Sequence, residues 1–455
     1  MKKPRNILLF VTDDHAHWAL GCMGNREIQT PNLDYLAQTG VKMVNAFTPT
    51  PVCSPARACL FTGRLASQHG IHDYLASGDR AINSINWLAH EVTLGQLLKS
   101  AGYQTGLVGK WHLGQDEHPQ PGYDTWFTLG RDYPVWHQGP HRYGMAGEMK
   151  SMPGYVTQVI TDQASQFLRQ CTSSAPFFLT VGYYATHSPW EAHPERLVSR
   201  YRDCTFADIP EDIAYPFGRQ NLESTNETRD NPRETLAQYY AAVTEIDEAI
   251  GRLIDVLESL DCLQDTLIIY TSDHGLNCGH HGIWGKGNGT LPLNMVEESI
   301  RVPLIFWQGS QLYGRLQRHE FVDHLDTFQT ILAAAQVKAP REVVYPGKSY
   351  WPFLVNQHIA DWRTTQFGEY GNVRLARTEK YKLIRRYPDG PCEFFDLETD
   401  PRETVNRFQD PSYQPLVAQL TDQLDAYFAD HEEPEKSGLR VIERPRHNFS
   451  EAWRA

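Results

Sequence analysis

Apolar residues in this chain gather into short runs: Asn6–Val11, Thr105–Val108, Pro176–Gly182, Thr266–Thr271 and Val302–Trp307. Each is bounded by polar, glycine or proline residues, and several lack the alternation of a half-exposed strand. Such runs predict strands buried on both faces. Stretches of helical spacing lie between them. Thr30-Pro31-Asn32 opens one helix and Gly40 closes it, and Thr93 caps a second that ends at Gly102. Residues 155–170 form a third. The longest runs from Glu234 to about Leu260, with Leu236, Tyr239, Tyr240, Val243, Ile246, Ile250, Leu253, Ile254 and Leu257 on one stripe. Strands alternating with helices predict an α/β fold built on a large, mainly parallel sheet flanked by helices.

The texture changes after Ala360. Lys380–Arg385 and Glu393–Leu397 read as antiparallel strands around the turn residues Pro388-Asp389-Gly390, and a helix follows at about 413–429. The expected division is an α/β domain over residues 1–359 and a smaller C-terminal α+β subdomain over 360–455. Residues 203–233 are polar throughout and read as a long surface excursion.

Composition narrows the classes. Of 455 residues, 41% are hydrophobic and 21% charged, which excludes disordered and fibrous chains. No apolar run reaches membrane-spanning length. The net charge of −13 comes without a Lys/Arg block, so a nucleic-acid partner is not expected, and an anionic substrate would need a local pocket. The eight cysteines are irregularly spaced with no C-x-x-C, as in a reduced chain. The run Ile7–Val11 is too short for a signal peptide and is followed by Asp13-Asp14. The expectation is a soluble cytoplasmic enzyme, although a chain already trimmed of its leader would read the same way.

Two strands end in acids. Asp13-Asp14 follows the first, and Asp273-His274-Gly275 follows another. Ligands of open α/β sheets bind beyond the carboxyl ends of the strands. Clustered carboxylates repel unless a cation joins them, and oxygen donors suit Ca²⁺ or Mg²⁺. Either motif alone also fits an ordinary turn.

The sharpest signal is Cys53-Ser54-Pro55-Ala56-Arg57, continuing as Ala58-Cys59-Leu60-Phe61-Thr62-Gly63-Arg64. It resembles the maturation motif of the type I, formylglycine-dependent sulfatases of the alkaline phosphatase superfamily. In that family a maturation enzyme oxidises the cysteine to formylglycine. Further segments fall in the family's order. They are Thr30–Ala37, Gly109-Lys110-Trp111-His112-Leu113-Gly114, Thr186-His187-Ser188-Pro189, Asp273-His274-Gly275, Gly285-Lys286-Gly287, Glu298–Pro303, and Phe395-Asp396-Leu397 with Asp400–Glu403. Singly, such histidines and lysines are more often structural or solvated, and Arg301 and Glu298 are read as structural here.

The resemblance implies an alkaline phosphatase-like fold and hydrolysis of sulfate monoesters. It implies that Asp13, Asp14, Asp273 and His274 hold one divalent cation, Ca²⁺ with Mg²⁺ as the alternative. Residue 53, converted from Cys53 to 3-oxoalanine, would add an oxygen ligand and serve as nucleophile. Arg57 and Lys110 would hold the hydrated aldehyde, Lys286 and His187 would contact sulfate and leaving oxygen, and His187 would be the general acid. His112 would deprotonate the second hydroxyl so that the aldehyde re-forms and sulfate leaves. The partners implied are a sulfated sugar or small molecule and a formylglycine-generating enzyme. Trp136, His137, Trp190 and Trp284 are candidate sugar contacts, with rim packing as the alternative. The rival activities are an aryl or small-alkyl sulfatase and a formylglycine-dependent phosphonate monoester or phosphodiester hydrolase. A binding protein without turnover is disfavoured, because every motif position is filled.

Overall fold

The computed structural model describes residues 6–130, 137–171, 174–210, 215, 219–220, 231–309, 311–312 and 314–449. Its main sheet has ten strands: β1 (Asn6–Thr12), β2 (Val41–Met43), β3 (Gln104–Gly109), β4 (Thr125–Leu129), β5 (Gln138–Met145), β6 (Glu148–Tyr155), β7 (Phe177–Gly182), β8 (Thr266–Ser272), β9 (Leu304–Trp307) and β10 (Leu316–Arg318). The spatial order is β10-β2-β9-β8-β1-β7-β3-β4-β5-β6. The central five, β8 to β4, run parallel, while antiparallel pairings bring in β9 on one side and the β5–β6 hairpin on the other. The run expected from Val302 pairs only from Leu304, because Pro303 has no N–H for the ladder.

Strand β1 shows why the centre is parallel. Leu8 and Phe10 enter one apolar layer, and Ile7, Leu9 and Val11 enter the other. Both faces therefore need helices. The helices α1 (Pro31–Thr39), α4 (Val156–Gln170) and α5 (Pro232–Ser259) cover the first face. The helices α2 (Cys53–Thr62), α3 (Leu94–Ser100) and α7 (His324–Ala335) cover the second. A single-turn helix, α6 (Glu297–Ile300), precedes β9. Among the described residues no helix is long and apolar enough to cross a membrane.

A second sheet runs antiparallel in the order β11 (Gln366–Tyr370), β12 (Val373–Arg377), β13 (Tyr381–Arg386) and β14 (Glu393–Asp396). Its side chains alternate. Leu375, Ile384 and Phe395 pack with Phe47, Val52 and Ile300. Ala376, Leu383 and Phe394 pack with Cys59, Leu65 and helix α8 (Gln414–His431). Burying both faces contributes about 1.5–3 kcal/mol per large apolar side chain. It also places the small sheet directly against the segment that carries Cys53.

Candidate active site

Register brings the motifs together. In the parallel pair β1–β8, Thr12 lies opposite Ser272, so Asp13-Asp14 and Asp273-His274 leave the sheet at one edge. In β3–β7, Gly109 lies opposite Gly182, so Lys110 and the segment leading to His187 leave at that same edge. Gly109 has φ +108°, and a Cβ there would stand 2.0 Å from the Gly182 carbonyl oxygen, so only glycine permits this pairing. Asp14, His112 and Thr186 also have positive φ, at 60°, 66° and 78°. Non-glycine residues held this way cost about 1–3 kcal/mol each and cluster at functional sites. The Thr186 hydroxyl donates to the Asp13 carbonyl, tying two of these segments together.

Cys53 is the first residue of α2, where unpaired backbone N–H groups favour negative charge. All ten residues of that helix are buried, so the nucleophile position sits on a rigid element. Gly63 (φ +69°) ends it and donates to the Cys59 carbonyl.

Around Sγ of Cys53 the charged groups converge. Lys286 Nζ is 3.2 Å from it and donates to Asp14 Oδ1 at 2.6 Å. His274 Nε2 is 3.4 Å from Sγ and 3.1 Å from Asp14 Oδ1. Lys110 pairs with Asp13. Arg57 donates from Nε to Asp273 Oδ2 at 2.9 Å and from Nη1 to the Lys110 carbonyl at 3.0 Å. His112 Nε2 lies 3.0 Å from the Leu75 carbonyl. His187 Nε2 lies 4.0 Å from Asp14 Oδ2, and its side chain is the most open of the set, at 23%.

The electrostatics follow from these contacts. Burial raises the Cys53 thiol pKa, but Lys110, Lys286 and His274 outweigh it and hold the group well below the usual thiol range. Burial and the Cys53 charge both raise the Asp13 carboxyl, yet Lys110, His187 and Arg57 keep it below the carboxylate range. Burial pushes Asp273 up to about 7, with His274 opposing and Asp13 adding to the rise. Burial lowers His274, but Asp273 and Asp14 raise it to about 9. Burial likewise lowers Lys286, and Asp14 and Cys53 raise it well above its ordinary value.

The donor set fits a divalent cation. One ligand atom each from Asp13, Asp14, Cys53 and His274 lies within 4.8 Å of the others. Asp13 Oδ1 is buried with no hydrogen-bond partner among the described residues. His274 Nδ1 is 2.9 Å from the Gly275 carbonyl and donates to it, and Nε2 is aimed into the cluster, where a bound cation would take the place of its proton. Asp273 stands at the margin. Its Oδ2 is taken by Arg57, and its Oδ1 is 3.5 Å from His274 Nε2. The thiol stands where a maturation oxygen would be, and an oxygen suits a hard cation better than sulfur does. Arg57 Nη2 is buried without a partner, and the residue is fully enclosed. It is a donor waiting for an anionic or hydroxyl group.

The aromatic candidates divide. Trp136 lies outside the described residues. His137 is buried behind the site, with Nε2 3.0 Å from the His187 carbonyl. Trp190 is buried, donates from Nε1 to the Thr186 carbonyl at 2.9 Å, and packs on the half-buried Trp284 at 6.2 Å between ring centroids. The motif reading passed over two residues. Tyr184 stacks on His187 at 5.0 Å, and His324 Nε2 bonds the Asp273 carbonyl at 2.8 Å. Tyr184 had a signal in its place three residues before His187. His324 had none, because it approaches from α7 across a long stretch of sequence.

The comparisons agree with this geometry. A family model described as Sulfatase matches residues 5–337, and one described as N-sulphoglucosamine sulphohydrolase, C-terminal, matches residues 279–430. An N-acetylglucosamine-6-O-sulfatase of Bacteroides thetaiotaomicron is 27% identical, over 96% of this chain and 88% of its own length. An N-acetylgalactosamine-6-sulfatase of Rattus norvegicus is 28% identical, over 83% and 70%. A solved structure in complex with its substrate D-glucosamine-2-N,6-O-disulfate superposes with a TM-score of 0.79 at 27% identity, covering 96% of this chain and 100% of that one.

Proposed function

We infer that this chain, which belongs to the sulfatase family and hydrolyses sulfate monoesters, takes a sulfated sugar as its substrate. The observation that carries the reading is the arrangement around residue 53. It is a nucleophile position at a helix N-terminus, ringed by Lys286, His274 and Asp14, with His187 facing the same carboxylate. The names of the relatives and the sugar disulfate held by the structural neighbour support a sugar. So does the chemistry. A sugar alkoxide is a poor leaving group that needs a proton, and His187 Nε2 is placed to supply one.

Membership of the family implies a divalent cation and an oxidised residue 53, and the donor set favours Ca²⁺ over softer ions. Such a cation would be held by Asp13, Asp14 and His274, with Asp273 at its edge, and would screen the sulfate and make the residue 53 oxygen more acidic. A separate maturation enzyme would supply the oxidation, giving a hydrate whose hydroxyl attacks sulfur. The remaining work falls to residues already in place. Lys110, Lys286 and Arg57 offset negative charge without reorganising. His112, with Nε2 3.0 Å from the Leu75 carbonyl and its side chain hydrogen-bonded to residue 53, would be the group that removes a proton there. His187 protonates the departing oxygen.

The test is sulfate release from defined 6-sulfated amino sugars, 4-nitrophenyl sulfate and a phosphodiester, using protein whose Cys53 peptide is shown oxidised by mass spectrometry. The expected kcat/KM on at least one sugar sulfate exceeds that on the aryl sulfate by about tenfold or more. Faster turnover of the phosphodiester than of any sulfate would overturn the reading.

A further inference from the structure

The geometry points to Tyr184 as a positioning residue that fixes which nitrogen of His187 faces the leaving group. The inference rests on His187 being the acid of the proposed reaction. His187 Nδ1 lies 2.6 Å from the carbonyl oxygen of Ser188. Two lone pairs at that distance would repel, so Nδ1 carries a hydrogen and donates. The Tyr184 hydroxyl donates to that same oxygen at 3.1 Å and lies 3.2 Å from Nδ1. One carbonyl thus accepts from both groups and cannot turn away without losing two bonds.

The ring of Tyr184 stacks on the imidazole, with centroids 5.0 Å apart and planes 25° apart, which stops rotation about the Cβ–Cγ bond. Burial lowers the pKa of His137, whose ring lies 5.5 Å from that of Tyr184, to about 4, so the imidazole is neutral. Its Nε2 is 3.0 Å from the His187 carbonyl and donates to it. His137 itself packs on His193, with ring centroids 4.2 Å apart. Residues 187 and 188 are therefore each held through their carbonyl oxygens. The consequence is that, of the two nitrogens of the His187 ring, Nε2, 4.0 Å from Asp14 Oδ2, is the one aimed at the reacting centre. A ring flip would point a carbon there and place the proton out of reach.

Tyr184→Phe keeps the stack and removes the hydroxyl. Single-turnover rates on a sugar sulfate and on 4-nitrophenyl sulfate separate the possibilities, with His187→Ala measured beside it. The lost hydrogen bond should cut the rate on the sugar sulfate about three- to tenfold at unchanged KM. The aryl sulfate, whose phenolate leaves without a proton, should change by less than about twofold. His187→Ala should show the same selectivity more strongly. If His187→Ala is selective and Tyr184→Phe slows both substrates equally, slows neither, or changes only KM, the positioning role is wrong while the acid assignment stands. If His187→Ala itself slows both equally, the acid assignment falls and the inference falls with it.

Discussion

Two buried clusters of charge lie close together in this molecule and have opposite character. At the strand ends, the carboxylates Asp13, Asp14 and Asp273 meet the cations Lys110, Lys286 and Arg57. Beyond them, Glu297 of α6 and Glu403 meet Arg377 of β12 and Lys382 of β13. Each set balances its own formal charge. The second cluster is closed by ion pairing, since even Glu403 Oε1, which lacks a well-directed hydrogen bond, lies 2.7 Å from Lys382 Nζ. Glu297 takes both Arg377 and Lys382, while Glu403 takes Lys382 and the Glu297 backbone N–H. The first is open. Asp13 Oδ1 and Arg57 Nη2 are buried and unsatisfied. A closed cluster fixes one structure. An open one leaves desolvated groups whose stabilisation waits for a ligand of each sign. On the proposed reading those would be a cation at the carboxylates and a sulfate at the lysines.

Breaking the open cluster should therefore remove function and spare the fold. Cys53→Ala is expected to lower kcat by about 10⁴-fold or more, with an unchanged unfolding midpoint. A midpoint that drops by several degrees would mean that the thiol is part of the core. Asp13→Asn should release the bound cation and reduce kcat/KM on the order of 10²–10³-fold. Metal analysis after gel filtration measures the first effect, and wild-type metal content would show that Asp13 is not a ligand.

Breaking the closed cluster should do the reverse. Lys382→Met keeps the length of the side chain but leaves Glu297 and Glu403 facing each other without their shared cation. Removing one partner of a buried ion cluster costs about 3–5 kcal/mol. Urea denaturation should show that loss. Turnover per folded molecule should stay within about twofold, since Lys382 touches no residue of the strand-end site. A large fall in kcat with normal stability would join the two clusters into one functional unit.

Much of the architecture was legible in sequence. The short apolar runs located four of the five central parallel strands to within a residue or two but not β4, and the stripe from Leu236 to Leu257 located α5, because both depend on local periodicity. The motifs that carry the family resemblance singled out Asp13, Asp14, Cys53, Arg57, Lys110, His112, His187, Asp273, His274 and Lys286, and register brings those that follow the central strands to one sheet edge. His137 was legible only as a candidate sugar contact, with rim packing as the alternative. The structure turns it inward, because the β5–β6 hairpin it begins packs its ring on His193.

What the sequence determined by itself, then, was the alternation of strands and helices and the identity of the chemical groups. These are encoded in neighbours a few residues apart. Only the tertiary structure decided which oxygen of each carboxylate is taken and which is left bare, and which carbonyl fixes the proton on His187. It alone decided that Glu297, Arg377, Lys382 and Glu403 close on one another. Those outcomes depend on angles and distances of a few ångströms between segments tens to hundreds of residues apart. No periodicity along the chain records such separations.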